Sequence, residues 1–194
     1  MDIKEAVDKR HSTREFEEKR VPDEIIKELV LQASKAPSAK NEQNYIFYSV
    51  SSDEKLKEII VLLNKYLKEH KEEIEKMPIE FKETIKKFYK NLGGAKNIIF
   101  VYRGIKENPQ NYQLFNDIVG LSCAIENLML VAVSLDLGTC WIGSFKDKEK
   151  DISKIVGSKN AEELMAAILI GYPKKGYFPL KRDKKSLDKI LKIV

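Results

Sequence analysis

A chain of 194 residues, 43% hydrophobic and 34% charged with both signs mixed, suits one globular domain spanning residues 1–194 and excludes a disordered, collagen-like or disulfide-stapled scaffold. The formal net charge of +5 is unevenly placed: residues 174–192 hold eight Lys/Arg against two Asp, so everything before them is close to neutral, which disfavours general nucleic-acid binding. Cys123 and Cys140 are too few for a disulfide framework, and Met1-Asp2-Ile3-Lys4-Glu5 lacks the basic-then-apolar order of a signal peptide, so a cytoplasmic location is expected.

Residues 2–11 read as a short helix, with Ile3, Ala6 and Val7 on one face and Asp2 and Glu5 at capping spacing. Residues 12–18 read as extended. Val21-Pro22-Asp23 opens a second helix carrying Ile25, Ile26, Leu29, Val30 and Ala33, which must end before Pro37. The aromatic and β-branched run 45–50 predicts a strand. Ser51 and Glu54 predict a capping box for a charged helical region over 53–91, broken into two pieces at Met77-Pro78. That region holds ten Lys and nine Asp/Glu, the pattern of solvated helices with one buried face.

Gly93-Gly94 predicts a turn, and 97–102 a second strand with a continuous apolar core. Residues 112–135 form a helix apolar nearly all round, expected to be buried in the domain centre or in a subunit interface. The longest apolar stretch, 128–143, is interrupted by Asp136 and falls short of the ~20 residues of a membrane span, so no membrane partner is expected. Strands at 139–142 and 165–170 follow, separated by a short helix near 149–155, with a last helix over 186–194. Helices and strands interleave in one α/β or α+β domain.

Several site types are excluded. His11 and His70 have no Cys or His nearby at ligand spacing, so no metal site is expected. There is no Gly-x-Ser-x-Gly elbow and no Gly-x-Gly-x-x-Gly after a strand. Gly171 and Gly176 have phosphate-loop spacing, but Tyr177-Phe178 stand where Lys-Ser/Thr is required. Three clusters remain. Arg10-His11-Ser12-Thr13-Arg14 places two guanidiniums around a hydroxyl, fit for a phosphate or the polar edge of a heterocycle, although a helix C-terminus with favourable dipole charges explains it as well. Pro37-Ser38-Ala39-Lys40-Asn41-Glu42-Gln43 is a polar loop ahead of a strand, and by itself an ordinary connection. Gly138-Thr139-Cys140-Trp141-Ile142-Gly143-Ser144 carries the one tryptophan on a strand ending in Gly-Ser, where backbone N–H groups can approach a ligand; Trp141 could equally be core.

In this order the clusters, with Asp117-Ile-Val-Gly120, Glu126-Asn127-Leu128 and Ile170-Gly171-Tyr172-Pro173, resemble the FMN-dependent nitroreductase family over residues 2–190. The resemblance implies an α+β fold, a central mainly antiparallel sheet flanked by helices, and a homodimer with FMN at the subunit interface. It implies that Arg10, Ser12 and Arg14 are flavin ligands, His11 contributing through its backbone. Pro37, Ser38, Ala39 and Asn41 would reach the flavin of the other subunit, and Ile142, Gly143 and Ser144 would lie along the ring edge. Arg182 and Lys184 match the family's paired basic positions near the phosphate, with Lys181 and Lys185 as the alternative register. Lys90 is a further cation for the reduced ring, and Tyr112 and Phe115 belong either to the acceptor side or to the core. The implied activity is ping-pong hydride transfer from NADH or NADPH through flavin N5 to a nitro compound, quinone or similar small-molecule acceptor. A non-catalytic flavin-binding redox sensor and a cofactor-free helical interaction protein are the alternatives. The loop reads Asn41-Glu42-Gln43-Asn44-Tyr45 where many members have Asn-x-Gln-Pro-Trp, a departure expected to alter loop rigidity more than flavin contacts.

Overall fold

A computed structural model describes residues 1–179 and 183–194. Its centre is an antiparallel sheet of four strands: β1 (Ile46–Val50), β2 (Asn97–Gly104), β3 (Gly138–Ile142) and β4 (Glu162–Gly171), in spatial order β1-β2-β4-β3. β2 is apolar without alternation because both its faces are covered: Ile98, Phe100 and Tyr102 point to one core, Ile99 and Val101 to the other. β4 begins at Glu162, three residues ahead of the expected start, since 162–164 pair with 102–104 beyond a register shift at Val101/Tyr102.

On the first face pack α3 (Asp53–Glu69), α5 (Ile79–Asn91) and α7 (Glu149–Val156); on the second lie α2 (Asp23–Ala33) and α6 (Gln113–Ser134), with α1 (Ile3–Lys9) against α6. Asp2 caps α1 as its spacing predicts, its carboxylate accepting from the Glu5 N–H at 2.9 Å. The expected capping box at Ser51 does not form. Ser52 is the cap residue of α3 and makes no side-chain capping bond, so the acidic first turn, Asp53 and Glu54, supplies the favourable charge instead.

The charged region breaks twice among the described residues, not once. His70 leaves helical geometry at φ −101°, ψ 23°, separating α3 from a short α4 (Lys71–Glu75), before Pro78 starts α5. The His70 ring stacks on Tyr66 with centroids 4.0 Å apart, a contact that holds the turn. The C-terminal helix is also shorter than expected: α8 spans Leu187–Ile190 only, and its backbone returns to extended geometry at Leu191.

The extended segment after α1 covers the outer edge of β3. Ser12 bridges Thr139 in parallel, and the Thr13 N–H donates to the Thr139 carbonyl at 2.8 Å. Gly138 permits this approach, since a Cβ there would lie 2.5 Å from Thr13 Oγ1. α6 is long and apolar enough to cross a membrane by length and composition, yet one side of it is buried on the sheet through Leu121, Ala124, Ile125, Leu128 and Ala132. Its remaining side is not buried in the domain centre, for Leu114, Phe115, Ile118 and Val119 are exposed in the single chain, which leaves the subunit-interface alternative for that side.

Candidate functional site

Arg10 ends α1 with extended backbone, which throws residues 11–14 across the rim of the sheet. His11 Nδ1 lies 2.8 Å from the Lys9 carbonyl oxygen, and its ring stacks on Tyr177. The Ser12 carbonyl accepts two bonds, from Tyr177 Oη at 3.1 Å and from Arg14 Nη1 at 3.2 Å. Arg10 pairs with Glu126 of α6 at 3.5 Å. Arg14, by contrast, forms no ion pair among the described residues. A half-buried guanidinium without a carboxylate is costly to leave unmatched, and so favours an anionic or hydrogen-bonding ligand.

That guanidinium lines a cavity of about 200 Å³ with Cys140, Trp141, Ile142 and Gly143 from the end of β3. The opposite wall is α5, which contributes Phe81, Thr84, Ile85, Phe88 and Tyr89. Trp141 is 41% exposed, so it is no ordinary core residue. A Cβ added to Gly143 would meet nothing within 4 Å, so the space beside this backbone is open. A second cavity, about 490 Å³, adjoins at Arg14 and runs between Lys87 of α5 and Tyr177-Phe178.

The turn that follows Gly143 is fixed by a side-chain pair: Tyr89 Oη and Ser144 Oγ are 2.6 Å apart. Burial pushes the Tyr89 phenol up, with the Ser144 bond opposing, so it stays protonated at neutral pH. Burial likewise pushes the Cys140 thiol up against the opposing pull of Arg14, which keeps it from being a thiolate nucleophile. Among the described residues the 200 Å³ cavity therefore offers one cation, Arg14, with apolar walls, hydroxyls and backbone N–H groups, and no activated nucleophile.

The 37–43 loop stands apart from this cavity. Ser38 and Ala39 line a separate cleft with Asp117 and Gly120 of α6. Lys40, Asn41 and Gln43 all have left-handed φ, +53°, +54° and +47°, a strain on the order of 1 kcal/mol per residue, least for Asn. Four local bonds hold the turn, among them Gln43 N–H to Ser38 Oγ at 3.1 Å and Gln43 Nε2 to Asn41 Oδ1 at 2.8 Å. Asn44 then bonds both the N–H and the carbonyl of Gly104 at 3.0 Å, extending the β1–β2 ladder through a side chain.

Of the residues singled out from sequence, the structure brings Arg14, Ile142 and Gly143 to one cavity, with Ser144 at the adjoining turn. It sets Pro37, Ser38, Ala39 and Asn41 on the α6 side of the same chain. Lys184 is exposed in the tail, and Arg182 lies outside the described residues. Lys90 is exposed and does not line the cavity, while Tyr112 and Phe115 are 74% and 66% exposed, which removes the core alternative for both in the single chain. Sequence reasoning missed the α5 wall. Its signal was present as Phe81, Ile85 and Phe88 at helical spacing, obscured by the surrounding lysines and glutamates.

Comparison with known proteins bears on this arrangement. Residues 7–172 match the model of the Nitroreductase family. A curated protein of Archaeoglobus fulgidus, named provisionally as an NADH dehydrogenase/NAD(P)H nitroreductase, is 28% identical over 167 residues, covering 85% of this chain and 82% of its own. A BluB-like flavoprotein of Clostridium difficile 630 superposes with a TM-score of 0.81 at 25% identity, covering 100% of this chain and 99% of that one. A nitroreductase with bound FMN from Desulfitobacterium hafniense DCB-2 has a TM-score of 0.76 at 21% identity, with 100% of both chains covered. With the family model spanning most of its length and the sheet, the Arg14 segment and the Trp141–Gly143 strand end in place, the chain belongs to the nitroreductase family.

Proposed function

We propose that the protein is an NAD(P)H-dependent flavin oxidoreductase that binds FMN in the cavity between Arg14 and residues 141–143. The observation that carries this is the Arg14 guanidinium, bonded to the Ser12 carbonyl but without a carboxylate partner among the described residues, beside an open space bounded by Trp141, Gly143 and the apolar side of α5. One further feature suits the cofactor. The adjoining cavity at Arg14 adds room for more than a ring.

When bound, FMN supplies the redox chemistry, accepting a hydride from NADH or NADPH and delivering electrons to a nitro compound, quinone or similar acceptor in a ping-pong cycle. The protein's part is positional and electrostatic. Arg14 supplies a positive field that favours added negative charge in the cavity. Gly143 and Ser144 present backbone N–H groups, and the Tyr89 hydroxyl holds their turn. Phe81, Ile85 and Ile142 keep the walls dry, which strengthens each of these interactions and suits a flat, weakly polar acceptor. Arg10, with Arg182 and Lys184 from the tail, is assigned to the phosphate, and His11 and Ser12 to the cofactor through their backbone and hydroxyl.

The active form is a homodimer in which Pro37, Ser38, Ala39 and Asn41 complete the FMN site of a second copy. Support comes from the exposed apolar side of α6 and from the tail, where Leu187, Ile190, Ile193 and Val194 touch little of their own chain and need cover. The test is an anaerobic titration of the FMN-loaded protein with NADH and NADPH. The visible flavin bands should bleach with at least one donor and return on adding a nitro compound or quinone. A chain that takes up no FMN, or whose flavin resists both donors, overturns the assignment.

A further inference from the structure

α6 is apolar along most of its length, yet its first turns bury Gln113 and Asp117, two of the few polar side chains in the core. The Asp117 side chain is 2% exposed and faces Arg103 of β2, whose Nη1 lies 3.3 Å away. A buried ion pair contributes little net stability over apolar packing, so it is better explained by what it positions. Both ends can be traced. Arg103 also grips Glu163 of β4, through Nη2 at 2.5 Å and Nε at 2.8 Å, and the other Glu163 oxygen receives Lys146 Nζ at 2.7 Å. Lys146 sits in the turn Ser144–Lys148, immediately after Gly143. In the opposite direction the Gln113 amide donates to Asp117 at 2.8 Å and to Glu42 at 2.9 Å, and Lys106 Nζ reaches the same Glu42 oxygen at 2.8 Å. Donors and acceptors alternate without a break from one segment to the other.

We infer that the chain Lys146–Glu163–Arg103–Asp117–Gln113–Glu42 is a single positioning network that sets, together, the 144–148 turn and the strained 38–43 loop. Resting on the functional assignment above, it ties the edge of a subunit's own FMN site to the loop that the subunit lends to its partner's site, so that a disturbance at either end reaches both. Glu42 is the loop anchor. The left-handed residues at 40, 41 and 43 lie in a turn held by its own four bonds, and Glu42 is where Gln113 of α6 and Lys106 after β2 add their hold to it. The like charges of Glu42 and Asp117 are kept apart by the Gln113 amide, those of Asp117 and Glu163 by the Arg103 fork, which makes each member dependent on the next.

The experiment is a double-mutant cycle between the exposed ends, Glu42→Ala and Lys146→Met, neither of which leaves a buried charge unmatched. FMN dissociation constants are measured on the apoprotein by quenching of flavin fluorescence, and hydrogen exchange is followed over 38–43 and 144–148 without cofactor. Each single variant should weaken FMN several-fold, and the double variant should fall short of the product by at least about threefold, the mark of members of one network. Glu42→Ala should speed exchange in 144–148 as well as in its own loop, and Glu42→Gln, which keeps an acceptor for Gln113, should recover part of both effects. Multiplicative losses, or faster exchange confined to the mutated end, overturn the linkage. A wild-type apoprotein that takes up no FMN refutes the functional assignment instead, and the exchange arm then decides the network alone.

Discussion

Gly93 fixes the backbone that carries Arg14, and replacing it with alanine has a cost that can be worked out atom by atom. Its φ is +64°, which costs an L-residue about 1 kcal/mol. An added Cβ would also stand 2.1 Å from the Arg14 carbonyl oxygen, 2.9 Å from its carbon and 3.1 Å from Phe88 Cδ2. Ordinary C···O contacts begin near about 3.3 Å, so the two segments must part by roughly 1 Å. That movement strains the bond from the Phe16 N–H to the Gly93 carbonyl, now 2.7 Å, for about 1 kcal/mol more. Gly93→Ala is therefore expected to lose about 2 kcal/mol, a fall in Tm of roughly 4–8 °C for a chain of this size. Gly157 supplies the control: its φ is +75°, but a Cβ there would touch nothing within 4 Å, so Gly157→Ala should lose only about 1 kcal/mol. Urea unfolding of the two apoproteins measures the difference, and FMN titration reads the displacement of Arg14. Equal stabilities, or undiminished FMN affinity in Gly93→Ala, would refute the reasoning.

Gly143→Ala should behave in the opposite way. Its backbone, φ −85° and ψ −28°, suits alanine and its surroundings are open, so stability should hold or rise slightly, while the new methyl group weakens FMN binding roughly tenfold; a variant with wild-type affinity would place the ring elsewhere. Glu163 gives a pH prediction. Hydrogen bonding from Lys146, followed by that from Arg103, holds its carboxyl below the usual carboxylate range against the opposing effect of burial. A depressed folded pKa stabilises above the unfolded value of about 4.3 and loses that stabilisation as pH falls through the folded value. The Tm gap between wild type and Glu163→Gln should thus be constant near neutrality and close on acidification below about pH 4.5. A gap independent of pH would show that the charge contributes nothing.

The sheet and the two-sided core were legible because β2, β3 and β4 are short apolar runs bounded by glycine, and α2 and α6 carry unbroken helical periodicity. Arg14 and Gly143 were singled out only through the family resemblance, because each motif by itself had an ordinary structural reading as well. The break at His70 escaped because no Pro or Gly marks it; stacking on Tyr66 stands in their place. The α5 wall escaped because a stripe of Phe and Ile at helical spacing looks the same whether it faces a core or a cavity. The network through Arg103 and Asp117 was invisible because its six members come from five separate stretches of chain, and only the pairing of β2 with β4 beside the start of α6 brings them together.

The central claim, a flavin site built from two copies of one chain, is tested most directly by complementation. Chains carrying Arg14→Ala are co-expressed in equal amount with chains carrying Asn41→Asp, each of which alone should retain little FMN. Half the dimers are then mixed, and each mixed dimer has one site with both wild-type residues, so about a quarter of the sites should regain wild-type FMN affinity. Mixed protein that holds no more FMN than either parent would contradict the shared site.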